Sequence, residues 1–177
     1  LAKFEDPPSE RGVFQAMHDI SIPAHFTASA VVIYHGHILL IHHKRIGAWL
    51  PPGGHLDQGE LPHQACLREV LEETGLECQI VSDPVPLTRD PDGYILPAPL
   101  CMHRVLAHEK GAPVVHIDLA YLCRPLRVSD GPLPDLRASA EVWGARWVEI
   151  SHLSTIELAK NVSEIVQMAL EKLGSDL

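Results

Sequence analysis

Apolar residues fall into short runs along this chain, and the period of those runs changes from one stretch to the next. The run Ala28 to Tyr34, ASAVVIY, is β-branched and apolar, and after a turn at His35-Gly36 the run HILLIHH continues from His37 to His43. The two predict a hairpin of strands at the centre of a sheet. From Leu61 to Thr74 the period becomes helical, with Pro62 tolerated in the first turn and Gly75 placed to end the helix. ECQIV (77–81), LCMHRVLAH (100–108), VVHIDLAYLCRPL (114–126) and GARWVEI (144–150) read as further strands. SHLSTIEL is then a short turn, and NVSEIVQMALEKLG an amphipathic helix that turns Ile165, Met168, Ala169 and Leu173 inward and ends at Gly174. Asp83 to Pro99, with Arg89 and Tyr94, is a proline-rich loop, and RVSDGPLPDLRASA (127–140) is another. Residues 1–24 are polar and irregular, an N-terminal extension in which Ser9 to Asp19 suits a short helix, and residues 25–177 make one domain. Strands alternating with two main helices are an α/β pattern, and periodicity alone leaves the strand order open.

The helix over residues 61–74 has two unlike sides. At roughly 100° per residue, Glu69, Glu72 and Glu73 share one face, while Cys66, Leu67, Val70, Leu71 and Thr74 project from the other. Three carboxylates that close repel one another, and a folded chain tolerates them when a cation or shared protons neutralise the charge. Hard oxygen donors suit Mg2+ or Mn2+, ions that also bind phosphate oxygens. An ordinary solvated acidic face is the alternative for the stretch EVLEE taken alone.

The wider spacing decides between them. Gly54 is followed after five residues by Glu60 and after seven more by Arg68-Glu69-Val70, Leu71, Glu72-Glu73, Thr74, Gly75 and Leu76. This stretch resembles the signature of the Nudix hydrolases, G-x5-E-x7-R-E-U-x-E-E-x-G-U with U a bulky aliphatic, at every position. At average residue usage, seven fixed residues would fall this way by chance less than once in roughly ten million windows. The approach, Trp49-Leu50-Pro51-Pro52-Gly53-Gly54, is similar to the W-x-x-P-G-G segment that enters the box in many members.

The resemblance implies the Nudix fold, an α/β/α sandwich with a curved mixed sheet between the motif helix and a C-terminal helix. It implies metal-dependent cleavage of the phosphoanhydride of a nucleoside diphosphate linked to another moiety: a nucleotide sugar, ADP-ribose, a dinucleoside polyphosphate or a nucleoside triphosphate. Carried onto this chain, the metal ligands are Glu69, Glu72, Glu73 and the Gly53 carbonyl, with Glu60 supporting from the loop and Mg2+ or Mn2+ as the ion. Glu69 is the first choice of base, and Arg68 holds carboxylates in place. Glu141 lies six residues before Trp147, where several members carry a carboxylate that completes metal binding or acts as the base; a solvated loop glutamate is the alternative. Lys44 and Arg45 precede the motif where a phosphate-bearing substrate would lie, His55 is close enough to contact phosphate, and Trp49 reads as a packing residue. A proline fifteen residues past the box, here Pro91, accompanies ADP-ribose substrates in the family, a weak signal in a loop with five prolines. Many members pair as dimers, which leaves a homodimer open. A nucleotide sensor or a prenyl-diphosphate isomerase on the same scaffold would carry an added DNA-binding segment, an eroded acidic set or a departure from the box.

Composition narrows the partners. In 177 residues, 23 Asp and Glu against 14 Lys and Arg give a net charge of -9, which disfavours general attraction to nucleic acid or an anionic membrane. A hydrophobic content of 46% suits one domain with a full core. Cys66, Cys78, Cys101 and Cys123 show no C-x-x-C spacing and read as reduced packing residues. With neither a signal-peptide core nor an 18-residue apolar span, the expectation is a cytoplasmic chain. His116 and Asp118 share one strand face, either as a catalytic pair or as satisfied polar groups.

Overall fold

In the computed structural model the described residues are 22–83, 92–126 and 131–175. The stretch proposed as a short helix, Ser9 to Asp19, lies outside them, as do Arg89 and Pro91. The strands are β1 (Ala24–Tyr34), β2 (His37–His43), β3 (Trp49–Leu50), β4 (Gly53–His55), β5 (Cys78–Ile80), β6 (Cys101–Glu109), β7 (Ala112–Pro125) and β8 (Val142–Glu149). The helices are α1 (Pro62–Thr74) and α2 (Val162–Ser175), with a 3-10 turn at Ile150–Thr155 before α2. The strands form one mixed, curved sheet in the order β3-β2-β1-β7-β5, with β4 also on β1, β6 on β7 and β8 on β2.

Helix α1 forms where its period and end signals agree. Pro62 occupies the first turn, the Gln64 side chain accepts a hydrogen bond from the Leu61 N–H at 3.1 Å, and Gly75 takes the left-handed conformation at φ 71°. The Gly75 N–H closes the last turn on the Leu71 carbonyl at 2.8 Å. Its Ala65, Cys66 and Val70 bury against Ala28, Ala30, Val32, Leu39, Tyr121 and Cys123 on one face of the sheet. On the other face, Val162, Ile165, Val166 and Ala169 of α2 pack on Val31, Ile38, Leu40, Ala120 and Leu122. Each large apolar side chain so enclosed contributes about 1.5–3 kcal/mol. The sandwich expected from the resemblance is the observed fold. All four cysteines are free thiols, and among the described residues no helix is long and apolar enough to cross a membrane.

Several local expectations need correction. The β1–β2 hairpin forms as expected but is short, pairing Ile33 with Ile38 and Tyr34 with His37. Strand β1 also runs parallel to β7 over nine pairs, Ala24–Val115 to Val32–Cys123, and β2 pairs mainly with β8. Leu71 is exposed and Glu73 is buried at 5% exposure, so the apolar side of α1 is rotated towards Glu73. Met168 is 41% exposed while Val162 and Val166 take the inner positions, and α2 continues through Gly174 to Ser175. The glycine approach to the box forms β3 and β4, which no apolar run announces.

Candidate active site

Strand β4 and helix α1 meet through two glycines. A Cβ on Gly53 would stand 2.5 Å from the Ala28 carbonyl oxygen and 2.7 Å from the Ser29 Cα, so only glycine lets β4 lie this close to β1. A Cβ on Gly54 would stand 2.3 Å from Glu69 Oε1, so this glycine leaves the space that the Glu69 carboxylate fills. The Gly53 N–H donates to Glu73 Oε2 at 2.9 Å, tying the buried carboxylate to the strand.

Arg68 gathers the rest. Its Nε and Nη2 each donate at 2.9 Å to Glu60, a two-pronged pair, and its Nη1 donates to Glu69 at 2.8 Å and Glu72 at 3.1 Å. Nη2 also reaches the His55 carbonyl at 3.0 Å. Hydrogen bonds from Arg68 hold Glu60 below the usual carboxylate range, and those carboxylates, Glu60 foremost, raise Arg68 in turn. Glu60 Oε2 also takes the Asp57 N–H at 2.9 Å, which folds the loop back onto the helix.

The charge state of the cluster reflects its crowding. Burial above all pushes Glu73 up to about 8, with the Gly53 N–H opposing and Glu69, Glu141 and Glu72 adding to the rise. Burial likewise raises Glu69, against Arg68 and with Glu72 and Glu141 adding. Carboxylates this close and this enclosed suit a divalent cation, and the all-oxygen donors suit Mg2+ or Mn2+. Glu141 itself is exposed, and its loop before β8 is held at the end of α1, where the Ser139 N–H donates to the Glu73 carbonyl at 3.1 Å. In these positions Arg68 lies among Glu60, Glu69 and Glu72, while Glu73 is bound to β4.

The remaining candidates scatter. Lys44 donates to the Ala140 carbonyl beside Glu141, and Arg45 is exposed with its backbone N–H on His43 Nδ1 at 3.2 Å. Trp49 is partly buried on the α2-side core with the Arg146 guanidinium 4.1 Å from its ring centre. His55 turns its side chain away from the carboxylates, towards His25, His116 and Glu109, and burial, the largest influence on it, favours its neutral form. His116 and Asp118 do not pair with each other: His116 meets Glu109 at 3.0 Å and Asp118 meets His103 at 3.0 Å. Sequence reading missed the groups around them, His25, His103 and Glu109, because parallel β1–β7 pairing and the β6–β7 register bring them together from distant positions. The spacing of polar residues at every second position was the available signal.

The NUDIX domain family model matches residues 24–168, most of the chain. This chain belongs to the NUDIX domain family. A curated relative, the m7GpppN-mRNA hydrolase NUDT17 of Xenopus laevis, is 59% identical over 34 residues, which span 19% of this chain and 12% of that protein. Among solved structures, a NUDIX-family hydrolase from Clostridium perfringens is 24% identical with a TM-score of 0.65, over 84% of this chain and 97% of that one. A C. elegans Ap4A hydrolase in a binary complex is 21% identical with a TM-score of 0.58, over 85% and 98%.

Proposed function

We propose that this chain is a metal-dependent hydrolase that cleaves the phosphoanhydride bond of a nucleoside diphosphate linked to another moiety. The observation that carries the reading is the carboxylate cluster at the β4–α1 junction, in which Glu69 and Glu73 are enclosed and raised in pKa while Glu141 stands by. Mg2+ or Mn2+ would be held by Glu69, Glu72, Glu73 and the Gly53 carbonyl, with Glu60 in support. When bound, such an ion offsets the charge of the diphosphate and lowers the pKa of water.

The chain's own groups do the rest. Arg68 keeps Glu60, Glu69 and Glu72 in one arrangement and spends its donors doing so, which assigns it to positioning. Glu69 Oε1 is committed to Arg68, and Oε2 is the oxygen we assign to take the proton of the attacking water, with Glu141 the second candidate for that step. Lys44 and Arg45 are assigned to the approach of the substrate phosphates; His55, whose side chain turns away from the carboxylates towards His25, His116 and Glu109, is not. The substrates in the names of similar proteins, a capped mRNA and Ap4A among them, support a nucleotide derivative as the substrate. A net charge of -9 argues against RNA and for a small nucleotide.

Glu73→Gln is the direct test. A glutamine keeps an oxygen to accept the Gly53 N–H, so stability should change by less than about 1 kcal/mol. Metal-dependent turnover should fall by at least about a hundredfold, since a neutral amide is a poor ligand for a hard divalent ion. A folded Glu73→Gln protein with parental turnover would remove Glu73 from the metal site.

A further inference from the structure

A second gathering of ligating groups stands on the sheet face opposite α1. His25 of β1, His55 of β4, Glu109 at the end of β6 and His116 of β7 each offer one ligand atom, and the four atoms lie within 4.8 Å of one another. Four strands therefore converge on one point. The backbone fixes the convergence: His25 is the register partner of His116 across the parallel pair, and His55 faces Thr27, two residues along β1. Lys110 and Gly111, both at positive φ, turn the chain from β6 into β7 and hold Glu109 over the group.

Its geometry is close to that of a coordination shell. His116 Nε2 is 3.0 Å from Glu109 Oε1, His55 Nε2 is 3.1 Å from the same oxygen, and His25 Nδ1 is 3.8 Å from Oε2. Donors bound at 2.0–2.1 Å around a tetrahedral ion are about 3.3 Å apart. The two separations from Oε1 are slightly shorter than that, while the spread of up to 4.8 Å among the four atoms means that side-chain rotation must draw them in on binding. The rings already stand edge to face, His55 against His116 at 4.9 Å and against His25 at 5.6 Å. His25, half-exposed near the start of β1, is free to complete the approach.

The satisfaction of the polar atoms points the same way. His55 Nε2 is shielded from solvent and makes no hydrogen bond, although Glu109 Oε1 lies 3.1 Å away. A shielded ring nitrogen without a partner is costly, and a metal bond would satisfy it. An anion fits poorly, because Glu109 sits within the group and would repel it.

We propose that His25, His55, His116 and Glu109 form a metal site for a borderline divalent ion, Zn2+ or its first-row neighbours, separate from the carboxylate cluster. Imidazole donors favour Zn2+ and Co2+ over Mg2+, so the two sites divide ions by ligand chemistry. Strand β4 connects them: the His55 side chain belongs to one, while its carbonyl is bonded by Arg68 of the other. The proposal stands independently of the hydrolase reading, because it concerns metal binding and needs no substrate.

Zn2+ titration by calorimetry and Co2+ titration by visible absorption, on the chelator-stripped full chain, test it. One tight Zn2+ per chain, with a tetrahedral Co2+ spectrum, is expected in the parent and in Glu69→Gln with Glu72→Gln. At least a tenfold loss of Zn2+ affinity is expected in both His25→Ala and His116→Ala. His25 is half-exposed near a strand end, so its alanine variant decides the matter even where His116→Ala fails to fold. Unchanged Zn2+ binding in His25→Ala, or loss of the tight site only in the Glu69 and Glu72 variant, would overturn the proposal.

Discussion

Arg68 and Asp118 are counterparts on opposite faces of the sheet, each a single charge satisfied by several neighbours. The contacts of Arg68 with Glu69 and Glu72 are legible in the sequence, one and four residues away along a helix, whereas its bond to the His55 carbonyl depends on how the glycines lay β4 on β1. Asp118 was legible only as a polar residue on a strand face; its partners Thr27 and Ser29 lie about ninety positions away in sequence. Burial by itself would raise Asp118, but hydrogen bonds from His103, Ser29 and Thr27 outweigh it and hold the carboxyl below its ordinary value. Its folded pKa is thus lower than its unfolded pKa, near about 3.9. The stabilisation is complete above that unfolded value and is lost as pH falls through the folded one. Urea unfolding followed from pH 6 down to about pH 2 should show this acid loss in the parent and a shallower one in Asp118→Asn. At neutral pH the substitution should cost about 1–3 kcal/mol, as expected for weakening hydrogen bonds to a buried charge. An equally steep acid loss in the variant would show that other carboxylates dominate.

Among the elements, α1 and α2 announce themselves by period and end signals, but the two-residue and three-residue strands β3 and β4 do not. Their residues are Trp, Leu, Gly and His, too few and too glycine-rich for alternation to register, and it is their pairing with β2 and β1 that makes them strands. The same tertiary influence rotates α1, so that Glu73 is covered and Leu71 is not. The Gly53-Gly54 pair makes a sharp contrast testable. In Gly53→Ala the new Cβ meets main-chain atoms of Ala28 and Ser29, which cannot yield, so stability should fall by about 1–3 kcal/mol or more. In Gly54→Ala it meets the end of the Glu69 side chain, which can swing away, so stability should be nearly retained while turnover is lost. Thermal midpoints and turnover measured on both variants would separate the two. The opposite pattern, a stable Gly53→Ala and an unfolded Gly54→Ala, would contradict this account of the junction.

For the molecule as a whole, the α/β/α layering was foreseen from the resemblance, and the α1 and α2 cores on the two sheet faces are its physical form. Strand order was not legible, because the long parallel β1–β7 pairing joins segments whose local patterns say nothing of each other. Alternation of side chains along the paired strands gives the sheet an α1 face, where the carboxylates gather, and an opposite face, where histidines converge. The most direct test of the central claim is turnover across a panel of nucleotide sugars, ADP-ribose, dinucleoside polyphosphates and nucleoside triphosphates, with Mg2+ or Mn2+ and with chelator. Release of a nucleoside monophosphate, or of pyrophosphate from a triphosphate, from one class far above the rest, abolished by chelator, is the predicted result. A well-folded protein that binds Mg2+ or Mn2+ at Glu69, Glu72 and Glu73 yet cleaves no member of the panel would contradict it.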